Sequence, residues 1–303
     1  MRPVPIVILG AAFVSASLAA APTATATATI EQGAFPSESL GRDVSYSVQL
    51  PPSYANGKGR YPVLYVLHGL FENNAFWERR GLAPLVEQLW SSGDVPEMVV
   101  VAVDGGNSFF VNAPGGRFED LVTRDIVSRV ESTYRVVPGR PGRALLGISM
   151  GGYAALRIAF THPEVFRAVA THSAMLLQKI PTQEEGAGRW QMAAFIKVFG
   201  EPIDADLWTR SDPLALAQKA DPQKTPALYF DCGTEDRFGL YAGNQELHRR
   251  LEARGIRHEF GLHPGDHGYE YVRTVLPDSM RFLGGILQAA SAPAAATERK
   301  GKP

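Results

Sequence analysis

The chain has 303 residues, 30 of them basic and 31 acidic, and its formal net charge at pH 7 is −1. This even balance argues against nucleic acid or an anionic membrane surface as the main partner, because both attract strongly basic proteins. The hydrophobic fraction of 45% is that of a globular protein with a large core, and the single cysteine, Cys232, excludes an internal disulfide.

The first 21 residues are predicted to be a signal peptide. Arg2 supplies a positive start, residues 6–21 are apolar and uncharged, and small residues at their end offer A-x-A-type cleavage sites. An uncleaved membrane anchor is the alternative, but the apolar stretch is marginal against the ~20 residues that span a bilayer. The sequence therefore predicts a secreted or periplasmic protein without a membrane span after cleavage.

One domain, residues 30–288, is predicted between a flexible Thr/Ala linker at residues 22–29 and a disordered Ala/Pro-rich tail at residues 289–303. Strand-like and helix-like patterns alternate along it. The predicted strands are residues 44–50, 62–67, 98–103, 143–148, 165–171, 227–231 and 258–262, and the predicted helices are residues 120–134, 150–160, 240–254 and 269–287. This alternation predicts an α/β fold, a mostly parallel sheet with helices on both faces.

Residues 178–218 do not follow that alternation and are predicted to be an irregular, partly helical insertion of the kind that covers an active site. Their aromatic side chains either line a substrate pocket or pack in the core, and the same two readings apply to Phe109 and Phe110. The aromatic residues of the insertion are Trp190, Phe195, Phe199 and Trp208.

Residues 147–152 read Gly-Ile-Ser-Met-Gly-Gly, between a predicted strand and a predicted helix. A nucleophile elbow requires this arrangement, because the turn is strained and the backbones around the serine crowd each other. Gly147 and Gly151 have no side chain and so leave space for the crowded backbone. The helix that follows favours negative charge at its N-terminus. Ser149 is therefore the predicted nucleophile.

The acid and then the base are expected to follow the nucleophile in chain order, each in a loop after a strand. His267, just past the predicted strand 258–262, is the predicted base, and His263 is the alternative. Asp236 is the predicted acid and Glu235, beside it in the loop after strand 227–231, is the alternative. Chain order sets aside the earlier histidines, His68, His162 and His172.

An oxyanion hole requires two backbone N–H donors. One is predicted at Met150, directly after the nucleophile. The other is predicted at Leu70, because residues 67–70, Leu-His-Gly-Leu, end an early strand and the glycine lets the backbone turn an amide inward. His68 is expected to be a structural loop residue.

These motifs resemble the Putative esterase family of α/β hydrolases, which includes S-formylglutathione hydrolases, feruloyl esterases, enterochelin esterases and secreted mycobacterial mycolyltransferases. The resemblance runs from about residue 44 to residue 283. It is carried by residues 67–70, 104–108, 147–153, 162–166, 233–236 and 264–267. It implies an α/β-hydrolase fold with a triad of Ser149, Asp236 and His267 and oxyanion amides at Leu70 and Met150, and it favours Asp236 over Glu235.

The expected function is a secreted serine esterase that hydrolyses small carboxylic esters through an acyl-enzyme. No organic cofactor is expected, and no metal either, because the group around His263, Asp266 and His267 lacks a further set of spaced ligands. An acyltransferase of the mycolyltransferase type with the same triad is the first alternative. A non-catalytic secreted binding protein on an esterase scaffold is the second.

Overall fold

The computed structural model describes residues 27–181 and 189–291. The predicted signal peptide lies outside these residues, as do residues 22–26 of the predicted linker and residues 292–303 of the predicted tail. The described elements are, in chain order, β1 (Thr29–Ser37), β2 (Arg42–Leu50), β3 (Val63–Leu67), α1 (Phe76–Arg79), α2 (Leu82–Ser91), β4 (Val99–Val103), β5 (Asn112–Ala113), β6 (Gly116–Arg117), α3 (Phe118–Asp120), α4 (Ile126–Thr133), β7 (Arg143–Ile148), α5 (Met150–Thr161), β8 (Ala168–His172), α6 (Arg189–Phe199), α7 (Ala205–Ser211), α8 (Pro213–Ala217), β9 (Ala227–Gly233), α9 (Tyr241–Ala253), β10 (His258–His263) and α10 (Tyr269–Ser291).

Eight of these strands form one sheet in the order β1-β2-β4-β3-β7-β8-β9-β10. The pairs β1–β2 and β2–β4 are antiparallel, and every pair from β4 to β10 is parallel. The predicted α/β fold is confirmed. Because the parallel strands end at the same edge, the loops after β3, β4, β7, β8, β9 and β10 meet there.

Both faces of the sheet are buried, as the continuous apolar strands require. In β3 every residue is buried and successive side chains alternate between two cores. Leu64 and Val66 pack into the core that contains α2 and α10, whereas Val63, Tyr65 and Leu67 pack into the core that contains α5 and the insertion. The sheet is therefore a rigid layer that holds the loops at its carboxyl edge.

Several element boundaries differ from those predicted. The edge strand β1 was not predicted as a strand, and it begins at Thr29, inside the predicted linker. Instead of one helix over residues 120–134 there are α3 and α4 joined by a π-helical segment, Leu121–Asp125. Helix α10 continues to Ser291, so the first residues of the predicted tail are helical despite Pro277 within the helix.

The described part of the insertion contains three helices, α6, α7 and α8. Phe195, Phe199 and Trp208 are buried, and the Phe195 ring stacks on Phe109 with centroids 4.8 Å apart. Phe199 and Trp208 pack edge to face at 5.1 Å. These aromatic rings belong to the core, and so do the fully buried Phe109 and Phe110. The Trp190 side chain lies outside the described part of the chain.

Across residues 27–181 and 189–291, every helix is either too short or too polar to cross a lipid bilayer.

Candidate active site

Ser149 lies at the sharp turn between β7 and α5. Its backbone has φ 55° and ψ −111°, a conformation that L-residues adopt only under strain. The turn is held on both sides, since the Ser149 N–H donates to the His172 carbonyl at 3.0 Å and the Ser149 carbonyl accepts from Met175 N–H at 3.0 Å. Strain held by such bonds is typical of a functional position.

Gly147 and Gly151 leave the space around the turn that the sequence analysis predicted. A Cβ atom on Gly147 would lie 2.1 Å from the Gly151 carbonyl oxygen, and one on Gly151 would lie 2.2 Å from the Leu67 carbonyl oxygen. Both distances are far below contact distance, so no larger residue fits at either position without displacing backbone. The close approach of Gly151 to the end of β3 also brings the loop after β3 next to Ser149.

Ser149, His267 and Asp236 form one chain of hydrogen bonds. The Ser149 Oγ lies 3.1 Å from His267 Nε2, and His267 Nδ1 lies 2.8 Å from Asp236 Oδ2. Ser149 and Asp236 are buried, and the His267 side chain is 15% exposed. The loops after β7, β9 and β10 supply one residue each, as chain order predicted.

The Asp236 carboxylate is stabilised in its charged form. Burial by itself would raise the pKa of Asp236, but the hydrogen bond to His267, the charge of His267 and two backbone donors outweigh it and lower that pKa below its ordinary value. The two donors are Phe238 N–H at 2.9 Å and Leu240 N–H at 3.4 Å, both on Oδ1. Asp236 is therefore an anion at neutral pH, directed at His267.

The alternative acid and base lie elsewhere. Glu235 is exposed, and its backbone N–H donates to the Gly265 carbonyl at 3.0 Å. His263 closes β10 and lines a separate cavity with Glu259, Asp278 and Arg281. Neither side chain joins the Ser149 chain of hydrogen bonds.

Three contacts of Asp266 involve Arg237 and His267 and join the loops that carry Asp236 and His267. One Asp266 carboxylate oxygen accepts from the N–H of His267 at 2.6 Å and from the N–H of Arg237 at 2.8 Å, and the Arg237 guanidinium pairs with the other oxygen. The pKa of Asp266 lies well below its ordinary value because of the Arg237 hydrogen bond and the His267 N–H. Asp266 thus fixes the spacing between the two loops.

Both residues predicted to supply oxyanion amides lie close to Ser149. Met150 is the first residue of α5, where a helix leaves its N–H without an acceptor within the helix. Leu70 lines the cavity in front of Ser149, and the position of a Gly69 Cβ would be 3.6 Å from Ser149 Cβ.

His68 has a clear role in this loop. Its Nδ1 donates to the Gly69 carbonyl at 2.7 Å and its Nε2 accepts from Gly105 N–H at 3.1 Å, and burial lowers its pKa. The neutral ring therefore holds the Gly69 carbonyl, and the planar peptide directs the Leu70 N–H the opposite way. Asn107 braces the same loop, since its Oδ1 accepts from Phe71 N–H at 2.7 Å.

A cavity of about 170 Å³ opens in front of Ser149. Its wall is mostly apolar, with Phe71 and Phe238 exposed by 57% and 39%. The polar side chains in it are Ser149, Ser173, Glu72, His267 and the phenol of Tyr269, and the other lining residues are Gly69, Leu70, Phe71, Ile148, Met175, Phe238, Gly268 and Val272. The buried aromatic residues of the insertion are not among them.

Sequence reasoning did not identify Phe71, Phe238, Asn107 and Tyr269 as residues of the site. Asn107 and Tyr269 each stand within or next to a motif that was recognised, residues 104–108 and 264–267. The two phenylalanines carried no local signal, because their exposure depends on how three loops meet.

A second histidine–carboxylate pair lies in the core at the ends of β8 and β9. His172 Nδ1 lies 2.8 Å from Asp231 Oδ2, and His172 Nε2 lies 3.0 Å from Ser279 Oγ. The Tyr271 hydroxyl donates to the other Asp231 oxygen at 2.8 Å. His172, Asp231 and Ser279 are all fully buried. Their backbones support the site, since the His172 carbonyl accepts from Ser149 N–H.

Within the described part of the chain, no three His, Cys, Asp or Glu side chains are grouped so that they could hold a metal ion. Cys232 is buried beside Asp236, with its Sγ 3.6 Å from Asp236 Oδ2, and burial raises the pKa of its thiol. A thiol in that state is unreactive, so its position is structural.

Comparison with known proteins points to one family. The model of the family described as "Putative esterase" matches residues 37–283. A ferulic acid esterase of known structure superposes with a TM-score of 0.72 and 26% identity, over 86% of this chain and 99% of that one.

Two curated relatives differ in what their names state. An esterase of Mycobacterium tuberculosis is 27% identical over 84% of this chain, which spans only 58% of the length of that relative. A diacylglycerol acyltransferase/mycolyltransferase of Mycobacterium leprae is 28% identical over 84% of each chain. The similarity thus extends to relatives named as hydrolases and to one named as a transferase.

Proposed function

We propose, because this chain belongs to the Putative esterase family of α/β hydrolases, that it is a serine esterase in which Ser149, His267 and Asp236 form the catalytic triad. The observation that carries the proposal is the chain of hydrogen bonds from Asp236 through His267 to Ser149, which ends in a cavity. Its substrate is a carboxylic ester. The fold gives no reason for a cofactor, since the acyl transfer uses only protein groups.

The first half of the reaction forms an acyl-enzyme. The Ser149 oxygen attacks the ester carbonyl carbon while His267 Nε2 accepts the hydroxyl proton, and the backbone amides of Leu70 and Met150 receive the oxyanion. As the tetrahedral intermediate collapses, the bond to the alkoxy oxygen breaks and His267 returns the proton to it. Asp236 holds the ring in the tautomer with hydrogen on Nδ1 and stabilises the imidazolium.

The second half releases the acid. Water enters the cavity, His267 takes one of its protons, and the oxygen attacks the acyl carbonyl carbon. The second tetrahedral intermediate then expels the Ser149 oxygen, which regains its proton from His267. An alcohol in place of water would make the enzyme a transferase with the same residues.

The cavity favours an ester of compact shape. A volume of about 170 Å³ is close to the ~150 Å³ that accommodates a single benzene ring and well below the ~300–1,000 Å³ of pockets for drug-sized ligands. A short acyl chain or a single ring fits such a space. The exposed rings of Phe71 and Phe238 at its rim then contact the alcohol part or the outer end of the acyl part.

Acyl transfer is the second candidate, and it is supported by the 28% identity to the Mycobacterium leprae transferase. The small cavity argues against a long acyl group as its donor. We also propose that the protein is exported, on the support of the uncharged apolar stretch at residues 6–21 after Arg2. Mass spectrometry of the N-terminus of the mature protein would detect cleavage near residue 21.

The test compares the wild type with Ser149→Ala and Ser279→Ala on p-nitrophenyl esters from acetate to palmitate. Ser279 is a matched control, because its hydroxyl also lies about 3 Å from a histidine Nε2 but has no cavity in front of it. We expect hydrolysis of the short esters by wild type and Ser279→Ala, and none above background by Ser149→Ala. Equal rates for wild type and Ser149→Ala would overturn the assignment.

A glycerol or sugar acceptor added to the same assay separates the two candidates. A hydrolase gives acid as the main product at all acceptor concentrations, whereas a transferase gives mostly the new ester and accelerates with acceptor. The acceptor-dependent result would favour the second candidate and leave the triad assignment intact.

A further inference from the structure

Phe238 carries an apolar ring that is 39% exposed at the rim of the cavity in front of Ser149. Three large hydrophobic side chains are exposed in the described part of the chain, those of Phe71, Phe238 and Tyr241, and the first two line this cavity. Scattered exposed apolar side chains are ordinary, but rings that gather at the mouth of a cavity are typical of a ligand contact. We therefore expect the bound ester to reach the Phe238 ring.

The acid and the base of the proposed triad set the position of this ring. The backbone N–H of Phe238 donates to Asp236 Oδ1 at 2.9 Å, which ties residue 238 to the carboxylate. The ring packs edge to face against His267, with the two ring centroids 4.9 Å apart and an angle of 78° between the ring planes. Phe238 therefore stands directly beside the proposed base.

The sheet order places the loops that carry the two exposed phenylalanines on opposite sides of Ser149. Ser149 follows β7, and Phe71 lies in the loop after β3, the neighbour of β7 on one side. Phe238 and His267 lie in the loops after β9 and β10, beyond β8 on the other side. Phe71 comes directly after Leu70, whose N–H is a proposed oxyanion donor. The rim thus has an oxyanion side with Phe71 and a base side with Phe238.

The chemistry of acyl transfer puts the alcohol part of the ester on the base side. When the tetrahedral intermediate collapses, the alkoxy oxygen takes its proton from His267 Nε2, so these two atoms must come within about 2.6–3.2 Å of each other. The carbonyl oxygen lies at the oxyanion amides instead, and the acyl chain extends from the reacting carbon in a further direction. The first atoms of the alcohol therefore lie near the ring that flanks His267.

We propose that Phe238 is a specificity-determining residue for the alcohol part of the ester, and that the enzyme prefers short-chain esters of alcohols with an apolar, above all aromatic, group. The proposal rests on the esterase function proposed above. The cavity of about 170 Å³ holds the short acyl group, while an aromatic group on the alcohol packs on the Phe238 ring and removes apolar surface of both from water.

Two isomeric esters place the same phenyl ring on opposite sides of the ester bond. Benzyl acetate carries the ring on its alcohol, methyl phenylacetate carries it on its acid, and methyl acetate has no ring and is the reference. The experiment measures kcat/KM on all three esters for the wild type, Phe238→Ala and Phe71→Ala. Titration of the released acid at constant pH gives each rate without a chromogenic group.

We expect the wild type to have a higher kcat/KM on benzyl acetate than on methyl acetate. In Phe238→Ala this ratio should fall about 10-fold, because the contact between the two aromatic rings is lost. The ratio of methyl phenylacetate to methyl acetate should stay at its wild-type value. Alanine at position 238 keeps the backbone N–H that binds Asp236, so the hydrogen bonds of the triad remain.

Phe71→Ala is the matched control, because it removes the exposed ring on the oxyanion side of the same cavity. It should keep the wild-type ratio of benzyl acetate to methyl acetate. A merely structural role of Phe238 would lower the rates on all three esters by one factor and leave both ratios unchanged, and that result would overturn the proposal. So would a loss confined to methyl phenylacetate, which would place the ring on the acyl part, or an equal loss of the benzyl acetate ratio in Phe71→Ala.

The wild-type and Ser149→Ala rates separate this proposal from the one on which it rests. If the wild type is active, Ser149→Ala is inactive and Phe238→Ala has the wild-type ratios, only the role of Phe238 is wrong. If the wild type hydrolyses none of the three esters, both proposals fail.

Discussion

The described part of the molecule contains two serine–histidine–aspartate chains of hydrogen bonds with almost the same geometry. In one, His267 Nδ1 lies 2.8 Å from Asp236 Oδ2, and His267 Nε2 lies 3.1 Å from the Ser149 oxygen. In the other, His172 Nδ1 lies 2.8 Å from Asp231 Oδ2, and His172 Nε2 lies 3.0 Å from the Ser279 oxygen. Distances alone do not distinguish a candidate active site from a polar cluster of the core.

Their surroundings distinguish them. Ser149 has a left-handed backbone at the start of a helix and faces a cavity, whereas Ser279 lies within α10 and is fully buried. The Ser279 hydroxyl also donates to the Leu276 carbonyl at 3.0 Å, an ordinary bond within the helix. A serine can act as a nucleophile only where a substrate carbon can reach its oxygen. The cavity therefore distinguishes the Ser149 chain of hydrogen bonds from the buried one.

Replacing His267 and His172 tests the distinction between the two chains, and the loss of kcat in His267→Ala is the largest effect we expect. His267→Ala should lower kcat by about 10⁶-fold, as the loss of a triad base does in other serine hydrolases, with little change in stability. Circular dichroism melting and p-nitrophenyl acetate hydrolysis check both expectations.

His172→Ala is the matched change in the buried chain. It should lower the free energy of unfolding by about 3 kcal/mol, since it leaves Asp231 with one partner fewer, and should keep most of the activity of each folded molecule. A variant of His172 that stays folded but loses activity as His267→Ala does would contradict the distinction.

Replacing the aspartates of the two chains, Asp236 and Asp231, should give the next largest effects on activity and stability. Asp236→Asn should lower kcat by about 10⁴-fold, because the amide favours the wrong tautomer of His267. The pKa of Asp236 lies below its ordinary value, so its ionisation stabilises the fold at higher pH, and this contribution is lost as the pH falls through the lowered pKa. The Tm difference between the wild type and Asp236→Asn should therefore narrow below about pH 4.

Asp231→Asn, in the buried chain, is the control for Asp236→Asn. We expect it to destabilise the protein by about 3 kcal/mol at pH 7 while kcat changes little. If Asp231→Asn instead abolished hydrolysis at full stability, the buried chain would have to take part in the reaction.

The smallest expected effect is that of Ser279→Ala. The change removes one hydrogen bond to His172 and one to the Leu276 carbonyl, so the free energy of unfolding should fall by about 1–2 kcal/mol. Urea denaturation measures the loss, and a matching decrease in kcat/KM would argue that the two serines are not separate in function.

The local signals in the sequence predicted most of the site. The run of residues 147–152 identified Ser149, and the predicted strands before Asp236 and His267 placed both residues in loops at one edge of the sheet. The structure brings these three side chains together and leaves Glu235 and His263 outside. Spacing was informative here because a strand delivers the residue that follows it to a known edge.

Long-range packing was not predictable in the same way. The aromatic residues Phe195, Phe199 and Trp208 have the same pattern in the sequence whether they line a pocket or fill a core, and only their contacts with each other and with Phe109 decided for the core. The strand β1 was missed because its side chains are mostly exposed and carry little apolar periodicity. The π-helical segment Leu121–Asp125 also left no mark in the helical pattern.

The sequence by itself determined the α/β fold and the turn around Ser149, because the fold depends on the period of apolar residues and the turn on the space at two glycines. Only the tertiary structure decided which histidine–carboxylate chain opens to a cavity. It also decided that the Tyr271 hydroxyl donates to the buried Asp231 carboxylate. Both decisions depend on contacts between segments far apart along the chain, and such contacts follow from packing rather than from local preference.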